Sequence, residues 1–135
     1  LHVLGQLFNH HLKSKQQALP QALLPVPLHQ KRLRERGFNQ SMELARPISK
    51  QFNIPILSSY VERNRDTGEQ KGLTETQRKQ NMAHAFSIRK NIRHQHIAIL
   101  DDVITTGTTC ATLRSTLLAQ GIKKVEIWCC ATTKQ

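Results

Sequence analysis

The chain reads as an α/β domain built on a mostly parallel sheet flanked by helices, and three observations point there. Short β-rich runs alternate with longer stretches of helical period. One run, Ile97-Ala98-Ile99-Leu100, is apolar without alternation, as suits a strand buried on both faces of a parallel sheet. It leads into two adjacent carboxylates, a threonine-rich turn with one glycine, and then a helical pattern. In open α/β sheets, ligands bind outside the carboxyl ends of the strands, so this junction is the first place to look for a site.

In chain order, residues 1–19 form an amphipathic helix with Leu1, Leu4, Phe8 and Leu12 on one face. His10 and His11 fall within it and are read as surface residues rather than metal ligands. Ala22 to Pro27 is a strand. Pro25 and Pro27 each lack a ladder donor, so it must be short or run along an edge. Asn39 is placed to cap a helix running to about Phe52, and Pro47 predicts a kink or two short pieces there. Tyr60 to Arg65 is a strand leading into Asp66 to Gly72, a charged segment longer than a hairpin needs and of the kind that closes over ligands. Thr74 with Gln77 fits a capping box. Phe86 to Ile88 is a short strand. The helix after the central turn begins near Thr108, carries Cys110, Leu113 and Leu117 on one face, and ends at Gly121. Val125, Ile127, Cys129 and Ala131 alternate with Lys124, Glu126, Trp128 and Cys130 in a final strand.

Composition narrows the partners. With 135 residues the chain is long enough for one core and one domain. The formal charge is +11, concentrated in Lys31 to Arg36 and again at Arg89, Lys90 and Arg93. Such a surface attracts nucleic acid, and equally a small ligand bearing phosphate and pyrophosphate. No apolar stretch approaches the roughly 20 residues of a membrane span, and the first residues lack a secretory layout. The three cysteines, Cys110, Cys129 and Cys130, are odd in number and contain no CxxC pair. They read as reduced thiols of a cytoplasmic protein rather than a disulfide or zinc framework.

The chemistry concentrates after Leu100. Asp101 and Asp102 at a buried strand's end are costly without partners, because their charges repel and desolvation adds to the penalty. A ribose diol, a metal ion or nearby cations would relieve that cost. Beyond Val103 and Ile104, Thr105, Thr106, Thr108 and Thr109 flank Gly107. Consecutive loop amides and a helix N-terminus there favour a phosphate. The strand and acids also look like a Walker B segment, but none of the six glycines begins a Gly-x-x-x-x-Gly-Lys-Ser/Thr loop, which excludes a P-loop nucleotide hydrolase. A receiver-like phosphoacceptor domain would carry its paired acids in the first strand, and here they come late.

The run Ile97 to Thr109 resembles the phosphoribosyl pyrophosphate (PRPP) loop of the type I phosphoribosyltransferases. Val26-Pro27-Leu28, Arg36-Gly37-Phe38-Asn39-Gln40, Arg63 with Thr67 and Gln70, Gly72-Leu73, Arg78, Asn81 and Ala85-Phe86 narrow the resemblance to the ComF/GntX branch, over roughly residues 22 to 131. The resemblance implies a Rossmann-like sheet and a PRPP substrate accompanied by Mg²⁺. It implies that Asp101 and Asp102 hold the ribose hydroxyls and act in catalysis, and that Thr105 to Thr109 wrap the 5′-phosphate. The metal is then held by PRPP and lies near the acid pair. Pyrophosphate falls to the segment after the first strand, with Arg36 foremost, then Lys31 and Arg32. Arg63, Arg65 and Lys71 reach it from the ligand-closing loop. Members of this branch carry an N-terminal cysteine-rich, zinc-ribbon-like segment. Its lack here, together with the start at Leu1, is read as the mark of a fragment.

Two functions compete on this reading. One is an enzyme transferring phosphoribosyl to or from an unknown base. The other is a non-catalytic PRPP-sensing or single-stranded-DNA-associated module, in a branch linked to DNA uptake competence. Homodimers are common in the family, and no acceptor-reading residue or interface is legible in the chain.

Overall fold

The computed structural model describes residues 18–64, 72, 74–77, 84–104 and 107–132. The elements are β1 (Ala22–Pro25), α1 (Gln30–Arg36), α2 (Gln40–Phe52), β2 (Val61–Arg63), β3 (Phe86–Ile88), β4 (His96–Ile104), α3 (Thr108–Ala119) and β5 (Lys124–Thr132). The expected helix over 1–19 and most of the segment Asp66 to Gly72 lie outside the described residues.

The main sheet is parallel, in the order β1-β4-β5, with Ala22 opposite Ile97, Pro25 opposite Leu100, and Asp101 opposite Cys129. Ile97, Ala98, Ile99 and Leu100 are all fully buried. Ile97 and Ile99 join Leu24, Leu113, Leu117 and Val125 under α3. Ala98 and Leu100 join Leu23, Leu44, Ala45 and Ile48 under α2. Covering on both faces is the physical reason the run shows no alternation. β5 does alternate, but at the edge of the sheet: Ile127 remains 37% exposed while Trp128 packs towards the α2 layer.

The strand β1 is as short as its prolines require. Its outer side is still partly paired, since the Leu23 N–H donates to Pro55 and the Leu57 N–H donates to Leu23, at 2.9 and 2.8 Å. The antiparallel ribbon β2-β3 is separate from the main sheet, with Arg63 opposite Phe86.

Two expectations need correction, and one element was not foreseen. The central strand does not stop at Leu100: β4 runs to Ile104, because Asp101, Val103 and Ile104 continue the ladder with β5. Pro47 does not divide its helix. α2 is one element from Gln40 to Phe52, and Leu44, Ala45 and Ile48 on its buried face outweigh the single backbone bond that Pro47 cannot donate. The basic segment Gln30 to Arg36 is itself a helix although it buries no residue. Its ends explain it: the His29 ring accepts from the Lys31 N–H at 3.2 Å, and Gly37 at φ +82° donates to Leu33 at 2.8 Å.

Asn39 ties α2 to the sheet. Its Oδ1 accepts from the Ser41 N–H at 2.9 Å, while its Nδ2 donates to the Val26 carbonyl at 3.1 Å. One side chain thus caps the helix and fixes its start beside the end of β1. Asn39→Ala is expected to lower stability by roughly 1–2 kcal/mol, read as a reduced urea midpoint at unchanged slope. Asn39→Asp, which keeps the cap acceptor and loses the Val26 bond, should fall between the two.

Candidate functional site

β1 ends opposite Leu100, whereas β4 continues for four residues beyond it, from Asp101 to Ile104. The acids therefore lie where the sheet has lost a strand on one side, with α2 starting above the gap. A cavity of about 180 Å³ occupies this notch, and Asp101, Asp102, Val103, Ile104, Gly107 and Thr109 form one wall. Arg36, Asn39, Gln40 and Ser41 approach from the junction of α1 and α2, Val26 and Leu28 from just beyond β1, and Arg63 from the ribbon. Four separate stretches of chain thus meet at one point.

Asp101 is the most constrained group. The buried Ser41 hydroxyl donates to its Oδ1 at 3.5 Å, and the Cys110 thiol donates to its Oδ2 at 3.4 Å. Both bonds are long and weak. Burial pushes the Asp101 carboxyl up to about 6, and the hydrogen bond with Asp102 acts in the same direction, while the Cys110 contact opposes it. Burial, reinforced by the charge of Asp101, pushes the Cys110 thiol up to about 12. Cys129 and Cys130 are likewise raised, chiefly by burial. All three thiols are free and protonated at neutral pH, so none serves as a ready nucleophile.

Gly107 stands at the N-cap of α3 with φ +79°, a left-handed conformation that disfavours any side chain. Among the described residues, a Cβ there would meet Ile104 Cγ2 at 3.8 Å, an ordinary contact, so backbone conformation is what selects glycine. Arg63 lies over the Phe86 ring, 5.7 Å from its centroid, which fixes its direction from β2.

The sequence-derived residues divide clearly. Asp101, Asp102, Val103, Ile104, Gly107, Thr109, Arg36 and Arg63 are gathered at the cavity. Lys31, Arg32 and Thr108 do not line it, although Lys31 and Arg32 share α1 with Arg36. Thr105, Thr106, Arg65 and Lys71 lie outside the described residues. Two polar neighbours of Asp101 escaped the sequence, Ser41 and the thiol of Cys110. Cys110 appears there only as part of a buried helix face, and Ser41 is 60 residues away from Asp101 along the chain. Among the described residues, no group of three or more His, Cys, Asp or Glu side chains could hold a metal ion. No helix among them is long and apolar enough to cross a membrane.

A parallel sheet with an acid pair and a glycine turn at its carboxyl edge places the cavity where open α/β domains carry their ligand sites. The phosphoribosyl transferase domain family matches residues 39–135, and the chain belongs to that family. Competence protein F of Haemophilus influenzae is 35% identical over 119 residues, covering 86% of this chain and 52% of that protein. The DNA utilization protein YhgH of Escherichia coli K12, and that of Shigella flexneri, are 39% identical over 115 residues, covering 85% of this chain and 51% of theirs. These relatives bear out the ComF branch, and the chain spans about half the length of the curated proteins it matches.

The raised carboxyl has a thermodynamic consequence. Asp101 binds its proton more tightly in the folded chain than at its ordinary value of 3.8, so the fold loses stability as pH rises from about 4 to about 6. Above that range the whole penalty is present. Asp101→Asn should therefore stabilise the protein at pH 8 by on the order of 1 kcal/mol, allowing for solvent screening of a partly buried group. Thermal melts should show that gain shrinking as pH is lowered towards 4.

Proposed function

We propose that this domain binds PRPP together with Mg²⁺ and transfers its phosphoribosyl group to or from a nitrogenous base. The observation that carries the reading is the convergence of Asp101, Asp102, Gly107 and Arg36 on one small polar cavity. The acid pair offers acceptors to two vicinal hydroxyls, which matches a ribose diol. The turn at Gly107 and the start of α3 supply backbone donors for a phosphate, aided by Thr109. Thr105, Thr106 and Thr108 flank Gly107 in the sequence and are assigned to the same phosphate.

The pyrophosphate falls to Arg36 and Arg63, which face the acids across the cavity. Lys31 and Arg32 on α1 add positive potential around the leaving group; Arg65 and Lys71, assigned to it from the sequence, lie outside the described residues. Charge builds there as the C1′–O bond breaks and the ribose acquires oxocarbenium character, so fixed cations stabilise the transition state more than the ground state. Asp101 and Asp102 are hard oxygen donors, suited to Mg²⁺ directly or through water, with PRPP oxygens completing the shell. The metal, when bound, would neutralise the pyrophosphate. It would also draw Asp101 back towards its ionised form.

Calorimetry with PRPP and Mg²⁺ tests this. Asp101→Asn combined with Asp102→Asn should weaken PRPP binding roughly a hundredfold or more, since two hydrogen bonds to charged acceptors are lost. Arg36→Gln should weaken it about tenfold. Unchanged affinity in the double variant rejects the assignment. Tight PRPP binding without steady pyrophosphate release across a panel of bases would make the domain a PRPP sensor instead of an enzyme.

A further inference from the structure

A second, larger concavity adjoins the acid-pair cavity, between α1, α2 and the β2-β3 ribbon. Its volume is about 800 Å³, within the range of small-molecule sites, and Leu28, Asn39 and Arg63 line both spaces. We infer that this groove is the acceptor subsite, and that the acceptor is a planar aromatic ring carrying an anionic substituent. The inference rests on the PRPP reading, and it names what lies on the other side of C1′.

The apolar floor argues for a ring. Leu33 and Phe38 line the groove together and are 40% and 47% exposed, so two large apolar side chains are open to a ligand there. PRPP, with its hydroxyls and phosphates, has no use for such a surface, whereas a flat heterocycle stacks on it. Phe38 immediately precedes Asn39, the residue shared with the acid-pair cavity. A ring lying on Phe38 is therefore beside the ribose site.

The rim argues for a negative charge. Among the described residues, Arg46, Arg63, Arg89 and Lys90 line the groove against Glu43 and Glu62. Arg46 Nε lies 3.6 Å from Glu43 and Arg89 Nε lies 3.3 Å from Glu62, with all four side chains at least 40% exposed. Exposed pairs of this kind are worth only about 0–1 kcal/mol, so a ligand anion can readily share either cation. Lys90 is held in place, 5.2 Å from the Tyr60 ring centroid and donating to Ser59 Oγ at 3.2 Å. The groove thus presents a surplus of oriented cations around an aromatic platform. In the transfer, a ring nitrogen's lone pair forms the N–C1′ bond as the C1′–O bond breaks. That bond's electrons leave on pyrophosphate, and an N–H nucleophile releases its proton to solvent.

Matched ligand pairs differing mainly in charge test the inference on the whole chain. In calorimetry with and without PRPP and Mg²⁺, nicotinate should bind at least tenfold tighter than nicotinamide, and orotate at least tenfold tighter than uracil. Phe38→Ala and, separately, Arg46→Gln should each lower nicotinate and orotate affinity about tenfold while PRPP affinity stays within about twofold. Equal binding of charged and neutral partners, or indifference to both variants, overturns the acceptor assignment and leaves the PRPP reading standing. Failure of wild-type protein to bind PRPP, with carboxylate selectivity intact, overturns the PRPP reading and the acceptor role with it. Salt-sensitive binding of oligothymidylate that Phe38→Ala abolishes, without carboxylate preference, would give the groove to a nucleic acid instead.

Discussion

The unequal reach of β1 and β4 is the constraint on which the site depends. β1 stops at Pro25, opposite Leu100; the Val26 N–H still donates to the Leu100 carbonyl at 2.9 Å, and Pro27 then has no N–H to continue the ladder. β4 continues to Ile104 on the strength of its other neighbour, β5. The carboxylates therefore emerge where one side of the sheet is missing, supported from beneath by a fully buried apolar run and open above. Had β1 been four residues longer, the acids would have been enclosed by backbone with nothing to neutralise them.

Asn39 and Ser41 turn that notch into a defined cavity. The Asn39 side chain holds the first turn of α2 to the end of β1, which brings the Ser41 hydroxyl towards Asp101. The same cap aims Arg36 and Gln40 at the notch from either side of the turn. Asp101 is left with two long hydrogen bonds and a raised pKa, so in the free protein its charge is poorly compensated. A site that destabilises its own carboxylate until a diol or a cation arrives trades some fold stability for ligand binding.

The basic character of the chain divides between two settings. α1 buries nothing and carries four cations, Lys31, Arg32, Arg34 and Arg36, on a solvated helix capped at both ends. The cations of the ribbon are tethered by contrast: Arg63 to Phe86, Lys90 to Tyr60, and Arg89 to Glu62. Long-range attraction of anions belongs to the first group and local orientation to the second. Both the PRPP site and the neighbouring groove draw on the two together. The competence and DNA-utilization names of the relatives belong to proteins about twice as long as the part matched here.

By itself the sequence determined what local periodicity and local chemistry can encode. Ile97 to Leu100 had to be buried on both faces, Asp101 and Asp102 had to stand at the strand's exposed end of burial, and Gly107 had to turn the chain into α3. Each follows from residues within a few positions of one another. The helix at Gln30 to Arg36 was hidden, since a helix that buries nothing has no apolar stripe and is marked only by His29 and Gly37. The continuity of α2 through Pro47 was hidden as well, because packing of Leu44, Ala45 and Ile48 overrides a local breaker. Tertiary structure alone decided the extension of β4 through the acids, the approach of Ser41 and Cys110 to Asp101, and the groove beside them. Those features depend on which strand ends opposite which residue and on contacts 60 or more positions apart, and no window of sequence carries a register between distant segments.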